Sequence, residues 1–430
     1  MTAVDATARS AGPDGRPEPT FPGAGFRALW LAVGVSQFGS AVSVVTIPVI
    51  AVVSLGAGPQ QMGLLSALGM IPSFLVRVPA AAWSDRLPRR VPWLVAVNLA
   101  QVAVIGAVPL LWWRGMLGLP ALLVVVAAAS LLTGISSSLS SPVLVGVVPR
   151  AHLVTANGRL SATRGVADIG GPGLGGLLLA VLAAPFVVLV DALSFLLAAL
   201  LYARVRETPP EPAVPAWEPA DEPAPPGGTL ALAWALLSRG GIRALVVVSL
   251  VNGVVDPVLV LFMVDDLRLP ASAIGLLLGL GAVGGISGGL LVGRAMSRWG
   301  PGGTRAVGAA VTLASLAVLP FTTRGPSGAV GVVLFELAGS LGGTLLVATV
   351  FGQLQGAAPA GRVARVMALA MTFLQVATVL GALGGGLLGG LVGSRATLLV
   401  AGGLLAATLV PLLLRWRAGG WTCDDEREIR

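Results

Sequence analysis

The chain has 430 residues, 55% of them apolar and only 11% charged, with a net charge of +8. That composition, with a mean hydropathy of +0.91, excludes a water-soluble domain with a polar shell. All 27 basic residues are arginine, spread over loop after loop rather than gathered on one face, which argues against a nucleic-acid-binding module. The lack of lysine excludes a P-loop NTPase. One histidine (His152) and one cysteine (Cys423) leave no His/Cys metal cluster, no disulfide framework and no Ser-His-Asp hydrolase, so no enzyme, cofactor or metal site is expected.

Residues 1–24 are polar and rich in Pro, Gly and acid, without the apolar core of a signal peptide, and are expected to form a disordered cytoplasmic tail. Beyond them, apolar runs of about 20 residues recur, each able to cross a hydrocarbon layer of roughly 30 Å. Read against helix breakers, they predict twelve helices at 27–53, 60–82, 92–113, 119–141, 157–182, 185–203, 242–264, 272–293, 304–323, 328–351, 363–391 and 396–415. The expected fold is an all-α polytopic membrane protein. If the N-terminus is cytoplasmic, the outer loops hold only Arg114, Arg268, Arg324 and Arg395, and Arg77 falls inside a span. All other arginines lie in tails, inner loops or inner helix ends, so both termini are expected inside.

Between the sixth and seventh spans, residues 204–228 carry a run of prolines and acids that cannot pack and reads as a semi-extended cytoplasmic linker. It divides a six-helix bundle over 25–203 from a second over 229–416, ahead of a charged cytoplasmic tail at 417–430. The halves echo each other. Ala81…Asp85-Arg86 corresponds to Gly289…Gly293-Arg294 at an offset of 208, and Gly175-Gly176 to Gly385-Gly386 at an offset of 210. Two pseudo-symmetric bundles are what a transporter working by alternating access needs.

Ionisable residues inside spans are the first functional candidates, because each is costly in lipid unless paired or hydrated. Asp168 lies four residues after Arg164, on one helix face, and the two are expected to form an intramembrane charge pair. Asp191 in the sixth span reads equally as a structural hydrogen-bond acceptor or a proton carrier. Asp256 and Glu336 have no arginine four residues away and are proton-coupling candidates, Glu336 first. Arg77 needs a partner, which one of these acids or an anionic substrate would supply. Phe38, Phe74, Phe195, Phe262, Phe335 and Phe373, with Met70, Met263, Met367 and Met371, either line a greasy cavity or serve as packing. Ser36, Gln37, Asn98, Gln101, Asn252 and Gln375 face a cavity or bond across helices.

Two motifs carry a family resemblance. Asp85-Arg86-Leu-Pro-Arg89-Arg90, between the second and third spans, resembles the signature loop of the major facilitator superfamily, with Ala81 where that family has glycine. Ala167-Asp168-Ile-Gly170-Gly171-Pro172-Gly173-Leu-Gly175-Gly176 resembles the family's antiporter motif. By itself such a run is a packing seam where two backbones approach, bent by Pro172. Pro149-Arg-Ala-His-Leu-Val-Thr-Ala-Asn157-Gly-Arg-Leu and Asp191-Ala-Leu-Ser-Phe look like the macrolide-efflux-like, twelve-helix drug-exporter branch.

The resemblance spans about residues 25–416. It implies that Asp85, Arg86, Arg89 and Arg90 form a conformational latch, although Arg89 and Arg90 also serve topology alone. It implies further that Gly171, Pro172, Gly175 and Gly176 seal the bundle in one state. Two family features are missing: Ser40 follows Gly39 where relatives have Asp, and Ser130 precedes Thr133-Gly134 where proton-coupled exporters have Arg. The expected function is export of an amphipathic antibiotic, drug or secondary metabolite by a monomer in a bacterial cytoplasmic membrane, coupled to protons. The alternatives are an importer or facilitator of a small metabolite, or a non-transporting sensor or assembly protein on the same scaffold.

Overall fold

A computed structural model describes residues 23–207, 240–357 and 363–417, which are almost wholly helical. The first half contains α1 (Ala24–Val49), α2 (Pro59–Asp85), α3 (Val91–Trp113), α4 (Leu119–Val147), α5 (Leu153–Leu179), a single turn at Ala184–Val187, and α6 (Leu189–Tyr202). The second contains α7 (Gly240–Leu261), α8 (Ala271–Val318), α9 (Pro326–Ala357), α10 (Val363–Val392) and α11 (Ser394–Arg417). Cys423, the tails at 1–22 and 418–430, and residues 208–239 of the linker and its flank lie outside the described residues.

Among the described residues, ten helices are long and apolar enough to cross a membrane. Several begin with proline in their first turn (Pro59, Pro92, Pro120), where its fixed φ suits the helix and its missing N–H is not needed. α5, with Asn157, Arg159, Arg164 and Asp168, falls outside the ten on hydropathy. It nonetheless packs along α1 and α8. The spans expected at 272–293 and 304–323 are the two helical arms of α8, divided by a kink at Gly300, and the first arm runs on past residue 293. No breaker follows residue 293 until Gly300, whose φ of +66° reverses the chain just before Pro301. α2 likewise runs on to Asp85, so the acid sits on the last helical turn rather than in the loop.

Within the first half α1 packs on α5 and α6, α2 on α4, and α3 on α4 and α6. In the second, α7 packs on α10 and α11, and α8 on α9 and α11. The first helix of each half ends in one widened turn, Leu55 N–H to Ile50 O (3.1 Å) and Leu267 N–H to Phe262 O (3.0 Å). Just beyond, Arg395 binds a corner of the second half together. Its Nε meets Asp266 Oδ1 at 3.1 Å, its outer nitrogens donate to the carbonyls of Pro320 and Thr322, and its guanidinium lies over the Phe262 ring.

The halves meet through α5 against α8 and α2 against α10, with α2 also touching α7. These seams consist of bare backbone. A Cβ on Gly176 would lie 2.7 Å from Leu276 N, and one on Gly386 would lie 2.8 Å from Pro59 O and 2.9 Å from Gly63 Cα. Neither contact leaves room for a side chain, so glycine at each position decides how closely the halves approach. Both contacts lie toward the end of the bundle that carries the turn after Ser54.

Candidate functional site

A cavity of about 560 Å³ lies between the halves below this seam. Helical periodicity builds it. On α7, Leu245, Ser249, Asn252 and Asp256 recur at steps of three and four and so face one way. On α9, Glu336, Ser340, Gly343 and Val347 do the same. α1 contributes Val44, Val45 and Pro48, and α2 contributes Met62 and Ser66.

Asp256 lines this cavity and accepts a hydrogen bond from Ser66 Oγ at 2.9 Å, which joins α7 of one half to α2 of the other. Glu336 lines the same space, stands within electrostatic reach of Asp256, and has no hydrogen-bond or ion-pair partner among the described residues. Its carboxylate rests on Gly281 of α8, where a Cβ would strike Oε2. Gly281 therefore provides the space in which this carboxyl group sits.

An adjoining recess of about 290 Å³ is lined by Gln37, Ser40, Asp168 and Pro172. Arg164 acts on Asp168 through its charge from one turn away, but no ion pair or hydrogen bond joins the two among the described residues. Behind Ser40, Asp191 is 2% exposed. Its carboxylate accepts from Ser43 Oγ at 2.6 Å, Ser40 Oγ at 3.2 Å and Ser194 Oγ at 3.5 Å, and it lies in the first turn of α6, where N–H groups favour negative charge.

The remaining candidates are dispersed. Arg77 is exposed, has no side-chain partner among the described residues, and is not in the cavity wall. Gly171 and Gly175 pack on Ala41 and Val42 of α1, while Pro172 borders both the cavity and the recess. In the second half Gly381 and Gly385 pack in the same way on Leu250 and Val254 of α7. Of the aromatic and methionine candidates, Phe335 lines the cavity, whereas Phe195, Phe262 and Met263 belong to the packed core. Asn98 donates to Leu94 O and Gln101 to Thr133 Oγ1.

Asp85 is exposed and makes no hydrogen bond or ion pair among the described residues. The acid that does engage this loop is Glu207, which sequence reasoning missed. Its carboxylate accepts from Arg90 N–H at 2.7 Å and 2.9 Å and from Val91 N–H at 3.0 Å, capping α3. Nothing in the sequence pairs residue 207 with residue 90. Ser130 also has a definite place. It accepts from Ser73 N–H (3.2 Å) and donates to Gly69 O (2.8 Å), bridging a break in the α2 ladder beside Pro72.

The family model described as Major Facilitator Superfamily matches residues 29–382. The chain belongs to the major facilitator superfamily. It is accordingly a multi-pass membrane transporter of that type. No curated protein matches it. Solved structures with the same fold include a bacterial homologue of the iron transporter ferroportin in its inward-facing state, 21% identical with a TM-score of 0.64 over 89% of this chain and 98% of that one. The nucleoside transporter NupG is 13% identical with a TM-score of 0.69, covering 91% and 98%. A bacterial homologue of the lysosomal transporter Spinster, inward-facing and occupied, is 14% identical with a TM-score of 0.69, covering 91% and 96%. At these identities the likeness is one of fold.

Proposed function

We propose that this member of the superfamily exports an amphipathic small molecule by alternating access, driven by proton influx. Counting α5 and both arms of α8 gives twelve crossings, in bundles over 25–203 and 229–416. The arginine distribution supports an orientation with both termini in the cytoplasm, and in this reading the protein works as a monomer in a bacterial cytoplasmic membrane. On that orientation the glycine seams close the outer end, and the conformation is the inward-facing one. The unengaged Asp85 fits a latch with Arg86, Arg89 and Arg90 that closes only when the inner end does.

The observation that carries the reading is the cavity itself. It lies between two halves sealed by backbone contacts at one end, and its wall includes Asp256 and Glu336 as acids able to take up a proton. Asp191, buried behind Ser40, is a further candidate. A facilitator is the second reading, favoured by Ser40 and Ser130 standing where coupled relatives carry charge. The two separate in proteoliposomes under an imposed pH gradient, tested with a panel of lipophilic antibiotics and dyes. Antiport requires substrate-dependent proton flux that is lost in Glu336→Gln or Asp256→Asn. Substrate movement without proton flux would leave the facilitator.

A further inference from the structure

The protein is strongly basic, at +8 overall. Its cavity has the opposite character: among the described residues, the ionisable ones that line it are Asp256 and Glu336, and no arginine joins them. The rest of the wall is mainly aliphatic, with Val44, Val45, Val248 and Val255 and a single aromatic ring, Phe335, interspersed with uncharged polar residues such as Ser249 and Asn252. We propose that the cavity receives a positively charged amphipathic substrate, its cationic group held between Asp256 and Glu336 and its apolar body against this wall. The proposal rests on the reading of the cavity as the transport site.

Four observations support a cation. First, Ser66 donates only one hydrogen bond to Asp256, so the carboxylate keeps acceptor capacity facing the cavity. Second, Glu336 has no partner among the described residues, and Gly281 keeps the space around it clear. A neutral occupant without a donor that displaced water would leave both carboxyls without a partner, and an anion would be repelled by either acid once ionised. Third, no group of three or more His, Cys, Asp or Glu is found among the described residues, so a transition metal lacks a ligand set. Fourth, about 560 Å³ lies within the range of roughly 300–1,000 Å³ typical of drug-sized sites.

Ser66 gives the site a further consequence. A cation that draws Asp256 toward itself competes with the hydrogen bond joining the halves, three residues along α2 from the Gly63–Gly386 contact. Arrival of the substrate would thus loosen the seal.

The test is equilibrium binding to the purified full-length protein of tetraphenylphosphonium and tetraphenylborate, which share a shape and differ in sign. Binding needs neither a gradient nor a direction, so a failed export assay leaves this proposal standing, and a failed binding assay leaves export of another substrate open. The phosphonium is expected to bind and the borate not to. Glu336→Gln and Asp256→Asn should each weaken the phosphonium about tenfold or more. Equal binding of the two ions, no phosphonium binding by folded wild type, or unchanged affinity in both neutralised variants would overturn the proposal. So would displacement of the phosphonium by micromolar Mn²⁺. Should the variants fail to fold, the wild-type comparison of the two ions still decides.

Discussion

At the scale of single residues, the chain handles its buried charge by surrounding it with hydroxyls. Asp191 is held by Ser40 and Ser43, with Ser194 farther off at 3.5 Å, and no arginine is bonded to it among the described residues. Deleting the carboxylate in Asp191→Ala strands the Ser40 and Ser43 hydroxyls of α1 against α6 and opens a void, so a loss of about 2–4 kcal/mol is expected. Asp191→Asn, which keeps the shape and one carbonyl acceptor, should lose about half as much. Thermal unfolding in detergent reads both; an Asp191→Ala protein as stable as wild type would show that the hydroxyls find other partners. This acid was legible in the sequence because a charge stands out in an apolar run. Its partners were not, because a serine in a membrane helix looks the same whether it faces lipid or a carboxylate 151 residues away.

At the scale of elements, glycine and serine set how helices meet. Ser130 fills the gap in the α2 ladder beside Pro72. Ser130→Ala therefore leaves Ser73 N–H and Gly69 C=O unsatisfied, at a cost of roughly 1–3 kcal/mol, and the same unfolding measurement checks it. In sequence Ser130 registers only as a missing arginine, because the ladder break it fills belongs to another helix. The glycine seams make a different prediction. A Cβ on Gly386 meets the backbone of Pro59 and Gly63, which cannot rotate away. Gly386→Val should hold the halves apart without unfolding either. In a Cys423→Ser background, a thiol placed at Met62, 1% exposed in the sealed state, should then react with an impermeant reagent about tenfold faster or more. An unchanged rate would mean that the seam is held elsewhere. The Gly175-Gly176 and Gly385-Gly386 repeats were visible in the sequence. The inward and outward roles of their members were not: Gly175 and Gly385 pack within their own halves, Gly176 and Gly386 across the interface.

At the scale of the whole molecule, the arginine distribution predicts where the ends lie. A protease site added at either terminus should be cut in inside-out vesicles and protected in right-side-out ones, and cleavage of the two termini from opposite sides would refute an even number of crossings. Composition and hydropathy alone determined that this is a polytopic helical protein, because a bilayer admits only segments that satisfy their own backbone hydrogen bonds. The motif at Asp85 and the glycine run at 171–176 pointed to the family, and the acids at 256 and 336 announced themselves by their cost in lipid. Only the tertiary structure decided that those two acids share one cavity, that Ser66 reaches Asp256 from the other half, that Glu207 rather than Asp85 engages the signature loop, and that α8 runs unbroken to Gly300. The first three are contacts between segments far apart in the chain, and helical periodicity fixes which residues share a face but not which face another segment will meet.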